Sequence, residues 1–248
     1  MICKTAIILV GGFGTRLRPL TLTRPKPLIP FCNLNIIEHQ IRALIKNGVN
    51  KIILATNYKT NDIVREMTLL SKDLNVKILF SVEDQPLDTG GPLKLASKFI
   101  SNEKFVYVLN SDVICNYPFD KMLKIHLRMK KSVTILTKRV DDPLRFGVII
   151  QNGLIIEKFI EKPKIPISNI INAGIYIINI DIIKNIPDRK ISLEKEIFTS
   201  LAQNKELVAC ELEGYWKDIG QFKDYLEAQR LYLENLFYGK ENSNDCDT

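Results

Sequence analysis

Apolar, β-branched runs alternate with amphipathic stretches along the first half of this chain: Thr5–Val10, Ile36–Lys46, Lys51–Thr56, Asp62–Leu70, Val76–Val82, Pro92–Ile100 and Phe105–Leu109. The strand-like runs are nearly continuous in Ile, Val and Leu, the pattern of strands covered by helices on both faces of a parallel sheet. Within Ile36–Lys46, Ile37, Ile41, Leu44 and Ile45 fall at helical spacing and Asn47-Gly48 supplies a C-terminal stop. The first half therefore predicts a doubly wound α/β fold.

After Asp112 the rhythm changes. Tyr117–Lys130 predicts a helix and Val133–Val140 a strand. Gly147–Ile150 and Leu154–Ile160 predict a hairpin closed by Gln151-Asn152-Gly153. Ile171–Ile178 and Leu207–Glu211 read as strands, Leu193–Gln203 and Phe222–Phe237 as helices, and residues 240–248 as a polar, frayed tail. The apolar positions Phe222, Tyr225, Leu226, Leu231, Leu233 and Leu236 suit either packing on the sheet or a dimer contact. At 248 residues the chain fits one catalytic-sized domain, 1–239, with a small β elaboration in its second half.

Hydrophobic residues at 46% and charged residues at 25% match an ordinary folded protein. No apolar run approaches the roughly 20 residues that span a bilayer, so no membrane partner is expected and the cytoplasm is the expected location. Five widely spaced cysteines with only His39 and His126 as companions indicate neither a disulfide frame nor a zinc site. The net charge of +7 raises the possibility of a polyanion. Lysines and arginines are scattered, however, without interleaved aromatics, which argues against nucleic acid and for small phosphorylated substrates.

The chemistry concentrates in Gly11–Pro30, GGFGTRLRPLTLTRPKPLIP, directly after the first strand. Gly11, Gly12 and Gly14 let backbone N–H groups approach an anion. Thr15, Arg16 and Arg18 add a hydroxyl and two planar cations suited to phosphate oxygens. Pro25 and Pro27 bracket Lys26 and bias it toward an extended conformation. The spacing fits neither a Walker loop nor a dinucleotide fingerprint. Asp112 follows the strand Phe105–Leu109, at the carboxyl end where open α/β sheets place ligands, and Asp218 lies in Gly-Tyr-Trp-Lys-Asp-Ile-Gly-Gln, between an apolar strand and a helix.

This string resembles the signature loop of the sugar-1-phosphate nucleotidyltransferases, and its portion Thr21–Pro30 is similar to the eukaryotic type of mannose-1-phosphate guanylyltransferase. The resemblance runs from about Ile7 to Glu227 and implies a Rossmann-like nucleotide-diphospho-sugar transferase fold with a mostly parallel sheet. It implies transfer of a nucleotidyl group from an NTP to a sugar 1-phosphate, with GTP and mannose 1-phosphate favoured. Glucose-1-phosphate uridylyl- or thymidylyltransfer, or a non-catalytic nucleotide-sugar sensor, are the alternatives. Arg16 and Lys26 would be catalytic, and Leu9, Gly11, Gly12, Gly14, Thr15, Arg16, Thr89 and Gly90 would bind nucleotide. Asn110, Gly147, Glu161, Lys162 and Asn172 would bind the sugar phosphate, and Asp112 and Asp218 would bind Mg²⁺. A homodimer or a homologous regulatory subunit would be the protein partner. The chain departs from the pattern at Asn33-Leu34-Asn35, at Asp88 and at Gly90, and the C-terminal β-helix of the eukaryotic type is expected to be missing.

Overall fold

The computed structural model describes all residues except 1, 13, 58–60 and 242–248. The tail expected at 240–248 therefore lies largely outside the described residues; its first two positions continue the last helix. In chain order the elements are β1 (Thr5–Leu9), β2 (Pro30–Phe31), β3 (Leu34–Asn35), α1 (Ile36–Lys46), β4 (Lys51–Thr56), α2 (Asn61–Asp73) and β5 (Lys77–Val82). They continue with α3 (Gly90–Ala96), β6 (Phe105–Asn110), β7 (Val113–Cys115), α4 (Phe119–Met129), β8 (Val133–Arg139), β9 (Gly147–Asn152) and β10 (Ile155–Glu161). The chain closes with β11 (Ile170–Asn179), α5 (Ile180–Lys184), a π-helical turn Leu193–Phe198, α6 (Thr199–Gln203), β12 (Leu207–Glu211), β13 (Trp216–Asp218) and α7 (Phe222–Glu241).

Nine strands form one sheet in the order β5-β4-β1-β6-β11-β8-β12-β10-β9. β5, β4, β1 and β6 are parallel neighbours. β11 enters antiparallel between β6 and β8, and β10 runs antiparallel to both β12 and β9, so these two are reversed against the other seven. Successive residues of β1 serve opposite faces, as the pleat requires. Ile8 joins a core with Ile41 of α1, Met67 of α2 and Met122 of α4. Its neighbour Ile7 joins a second core with Leu93 of α3, Ile183 of α5 and Phe198. Helices thus cover both faces.

Three expectations need correction. The helix read over Leu193–Gln203 is broken into the π-helical turn and the short α6. The β9–β10 turn is the two-residue loop Gly153-Leu154, with Gly153 at φ +58 in the position that demands a positive angle. Lys26 opens a single 3-10 turn, Lys26–Leu28, rather than lying extended, because Pro25 is itself extended and Pro27 is accommodated within the first turn.

A small third core sits beneath the carboxyl ends of the strands, where Leu17, Ile29, Phe31, Ile114, Ile219 and Tyr225 are buried together. It fastens the glycine-rich loop, the β7–β13 pair and α7 to one another. The loop after β6 is also held from α1: buried Gln40 donates through Nε2 to the carbonyls of Asn110 and Val113, both at 2.9 Å. Replacing Gln40 by Leu leaves two buried carbonyls without that donor. It is expected to cost about 1–3 kcal/mol of stability, read as a lower urea midpoint with an unchanged slope.

Candidate active site

The site lies where open α/β sheets place ligands, outside the carboxyl ends of the central strands. Two cavities meet there. One, of ≈ 350 Å³, is walled by Leu9, Gly11, Gly12, Pro86 and Pro92; the other, of ≈ 560 Å³, by Arg16, Arg145, Gly147, Glu161, Lys162 and Glu194. Asp88, Thr89, Asn110 and Asp112 line both, so a molecule in each would touch at this boundary.

The boundary is built by a two-stranded ladder that the sequence pattern did not reveal. β7 pairs antiparallel with β13 in the register Val113↔Asp218, and Ile219 N–H donates to the Asp112 carbonyl at 2.8 Å. Aspartates 106 positions apart in sequence are thereby placed together. A Cβ on Gly220 would lie 2.7 Å from Asp218 Oδ1, 3.4 Å from Arg16 Nη2 and 3.7 Å from Asp112 Oδ2. A glycine is required at the point where the two carboxylates and the guanidinium converge.

The electrostatics of the pair are asymmetric. Lys26 Nζ donates to Asp112 Oδ2 at 2.6 Å. Burial pushes the Asp112 carboxyl up, but the adjacent Lys26 ammonium and its hydrogen bond outweigh that and hold it below the usual carboxylate range. Asp218 accepts only the Gly220 N–H, at 2.7 Å, among the described residues. Burial and then the Asp112 charge push it up to about 6. Among the described residues no group of three or more Asp, Glu, His or Cys side chains forms a metal cage.

In the larger cavity, Glu161 ends β10 and Lys162 follows it, with their charged atoms 3.5 Å apart. Burial raises the Glu161 carboxyl, and the charge of Glu194 adds to it. Gly147 faces them: a Cβ there would meet Phe159 Cζ at 2.6 Å and Glu161 Oε2 at 2.9 Å. Asn172 sits at the bulge of β11, where its Nδ2 donates to the Tyr176 hydroxyl at 2.9 Å and its Oδ1 accepts the Gly174 N–H at 3.0 Å. It lines the cavity, but these bonds shape the strand.

The structure thus brings Leu9, Gly11, Gly12, Arg16, Thr89, Asn110, Asp112, Gly147, Glu161, Lys162, Asn172 and Asp218 onto cavity walls. It does not place four other expected residues there. Lys26 lies outside both linings and reaches the site only through its bond to Asp112. Thr15 is exposed in the 3-10 turn Thr15–Leu17, outside both linings. Gly14, at φ +61, serves that turn and packs against Thr21 and the Lys26 stem. Gly90 is buried against Ile191, whose carbonyl accepts its N–H at 2.9 Å, so the missing side chain makes room for protein. Conversely, Ser192, Glu194, Lys195 and Arg145 line the larger cavity, and sequence reasoning missed them. The amphipathic pattern of 193–203 concealed Glu194 and Lys195, and Ser192 stands just before it. Only the crowding of Glu194, Lys195 and Glu196 behind Ser192 could have drawn attention.

The profile of the Nucleotidyl transferase family matches residues 5–235. The chain belongs to the nucleotidyl transferase family. It is 47% identical over 234 residues to the mannose-1-phosphate guanylyltransferase catalytic subunit beta of Danio rerio, and 48% identical over 234 residues to the mannose-1-phosphate guanyltransferase of Debaryomyces hansenii. In both cases 93% of this chain aligns with 65% of the relative, so it spans slightly less than two thirds of their length. Among solved structures, HddC of Yersinia pseudotuberculosis complexed with GMP-PN superposes with a TM-score of 0.75 at 29% identity, covering 92% of this chain and 99% of that one. A Bacillus anthracis protein assigned as a glucose-1-phosphate thymidylyltransferase gives 0.83 at 25% identity, covering 92% and 94%. These superpositions confirm the nucleotidyltransferase fold.

The two aspartates respond oppositely to neutralisation. Asp218, raised in the fold above its unfolded value, binds its proton more tightly when folded, so its contribution is best below the unfolded pKa of about 3.9 and is lost as pH rises through about 6. Asp218→Asn is therefore expected to raise the melting temperature at pH 7 without divalent cations, the gain vanishing by about pH 4. Asp112 is lowered in the fold, so Asp112→Asn should lower the melting temperature at pH 7, leaving Lys26 without its partner. Differential scanning fluorimetry across pH checks both signs.

Proposed function

We propose that this protein transfers a nucleotidyl group from a nucleoside triphosphate to a sugar 1-phosphate with release of pyrophosphate, GTP and mannose 1-phosphate being the favoured pair. The observation that carries this reading is the meeting of two cavities at Asp112, which Lys26 holds from outside the linings and beside which Arg16 and Asp218 line the larger cavity. The relatives at 47% and 48% identity named as guanylyltransferases support the choice of base and sugar. Relatives named as a catalytic subunit also favour an enzyme over a silent sensor.

The reaction needs an oxygen of the sugar phosphate to attack the α-phosphorus in line while the bond to the β-phosphate oxygen breaks and its electron pair leaves on pyrophosphate. Repulsion between anions is the obstacle, and positioned cations and dipoles are the protein's means against it. The glycine-rich cavity would take the nucleotide and the larger one the sugar phosphate. Arg16 would grip the leaving pyrophosphate and Lys26 would stabilise charge at the reacting phosphorus. Lys162 and Lys195 would meet the 1-phosphate.

Asp112 and Asp218 fit a hard divalent cation such as Mg²⁺, since both present carboxylate oxygens around Gly220 and, among the described residues, no Cys, His or Met lines either cavity. Mg²⁺ characteristically uses one or two carboxylates and completes its shell with substrate phosphates and water, so a larger protein cage is not required. When bound, the ion would supply charge neutralisation of the phosphates.

Pyrophosphate release from GTP plus mannose 1-phosphate tests the proposal, with ATP, UTP and dTTP and with glucose 1-phosphate as the competing pairs. No turnover with any pair would overturn it. Asp112→Asn and Asp218→Asn should each lower turnover by orders of magnitude, since metal catalysis contributes several kcal/mol and about 1.36 kcal/mol is tenfold in rate. Lys162→Ala should act mainly on the KM of the sugar phosphate, measured by initial rates at saturating nucleotide.

A further inference from the structure

The π-helical turn Leu193–Phe198 places Glu194 in the larger cavity, 9% exposed and fixed from two sides. Thr89 Oγ1 donates to Glu194 Oε2 at 2.6 Å, and Ser192 Oγ donates to the same oxygen at 3.1 Å. The directions are set by the backbone: Leu193 N–H donates to Thr89 Oγ1 at 2.9 Å and Lys195 N–H to Ser192 Oγ at 3.2 Å, so each hydroxyl has its own proton free for the carboxylate. Both protein donors are spent on Oε2. Oε1 has no donor among the described residues and is not among the buried unpartnered atoms, which leaves it facing the cavity as an acceptor.

The charges around it indicate what it accepts from. Glu161 and Glu194 form an acidic side of the cavity, while Arg145, Lys162 and Lys195 bring cations to its wall. Arg145 is already paired with Asp224 at 2.6 Å. A second phosphate would be repelled by the carboxylates, whereas a polyol offers O–H donors that two acceptor-only groups can take. Resting on the function proposed above, we propose that Glu194 is a specificity-determining residue that accepts a hydrogen bond from one sugar hydroxyl, with Thr89 and Ser192 as the positioning residues that fix its carboxylate. Because Thr89 also lines the nucleotide cavity, the same hydroxyl ties the sugar's acceptor to the loop beside the nucleotide.

The test is a set of monodeoxy mannose 1-phosphates assayed with the wild type, Glu194→Ala and Glu194→Gln, reading kcat/KM. In the wild type, deleting the hydroxyl that Glu194 contacts should cost about 10- to 150-fold, the range of a hydrogen bond to a charged group. Glu194→Ala should be indifferent to that one deletion while keeping the wild-type response to the others. Glu194→Gln, which keeps the shape and an acceptor but not the charge, should show about a 2- to 10-fold response and decides the matter if the alanine variant does not fold. A merely structural role would lower activity equally across the series, and that result would overturn the inference. Failure of the wild type with every substrate pair would instead overturn the proposed function.

Discussion

Two carboxylates kept together in a partly desolvated crevice set the terms for everything around them. Asp112 and Asp218 repel one another, and the fold tolerates the pair because Lys26 neutralises one of them and Arg16 stands beside both. A buried ion pair of this kind is weak evidence for stability, and the raised Asp218 carboxyl shows that the arrangement is not optimised for it. Perturbed carboxylates of this kind cluster at functional sites.

That constraint explains parts of the architecture that otherwise look incidental. The β7–β13 ladder is three residues long and belongs to no large sheet, yet it determines the distance between the aspartates. The third core beneath it is small because its task is to press the glycine-rich loop, the ladder and α7 into one block. Trp216, at the start of β13, anchors the block to the main sheet through its Nε1–H bond to the Ala173 carbonyl at 3.0 Å. β11, reversed within the sheet, carries Asn172 and Gly174 to the same end as β6 through a bulge.

The loop 86–90 and the segment 191–195 form a second unit that joins the two cavities. Gly90 N–H bonds to Ile191, Ile191 N–H bonds to the Leu87 carbonyl at 3.2 Å, and Leu87 N–H reaches Glu83 at 3.0 Å. Asp88 is held at φ +64 in this unit, a conformation that its short polar side chain tolerates through a bond to the Thr89 N–H. The departure of this position from the family pattern falls at the boundary where both ligands would meet.

The sequence by itself determined the alternation of buried strands and amphipathic helices, because burial on both faces forces runs such as Ile7–Leu9 and Ile52–Ala55 to be apolar throughout. It also marked the loop Gly11–Pro30 and both aspartates, through their resemblance to the motifs of the sugar-1-phosphate nucleotidyltransferases. It was silent on what depends on contacts far apart in the chain: the pairing that unites Asp112 with Asp218, the burial of Gly90 against Ile191 and the entry of Glu194 into the cavity. Short ladders and a π-helical turn carry no periodicity of their own, so packing alone decided which polar side chains line the cavities and which of these, like Asn172, spend their hydrogen bonds on the strand that holds them.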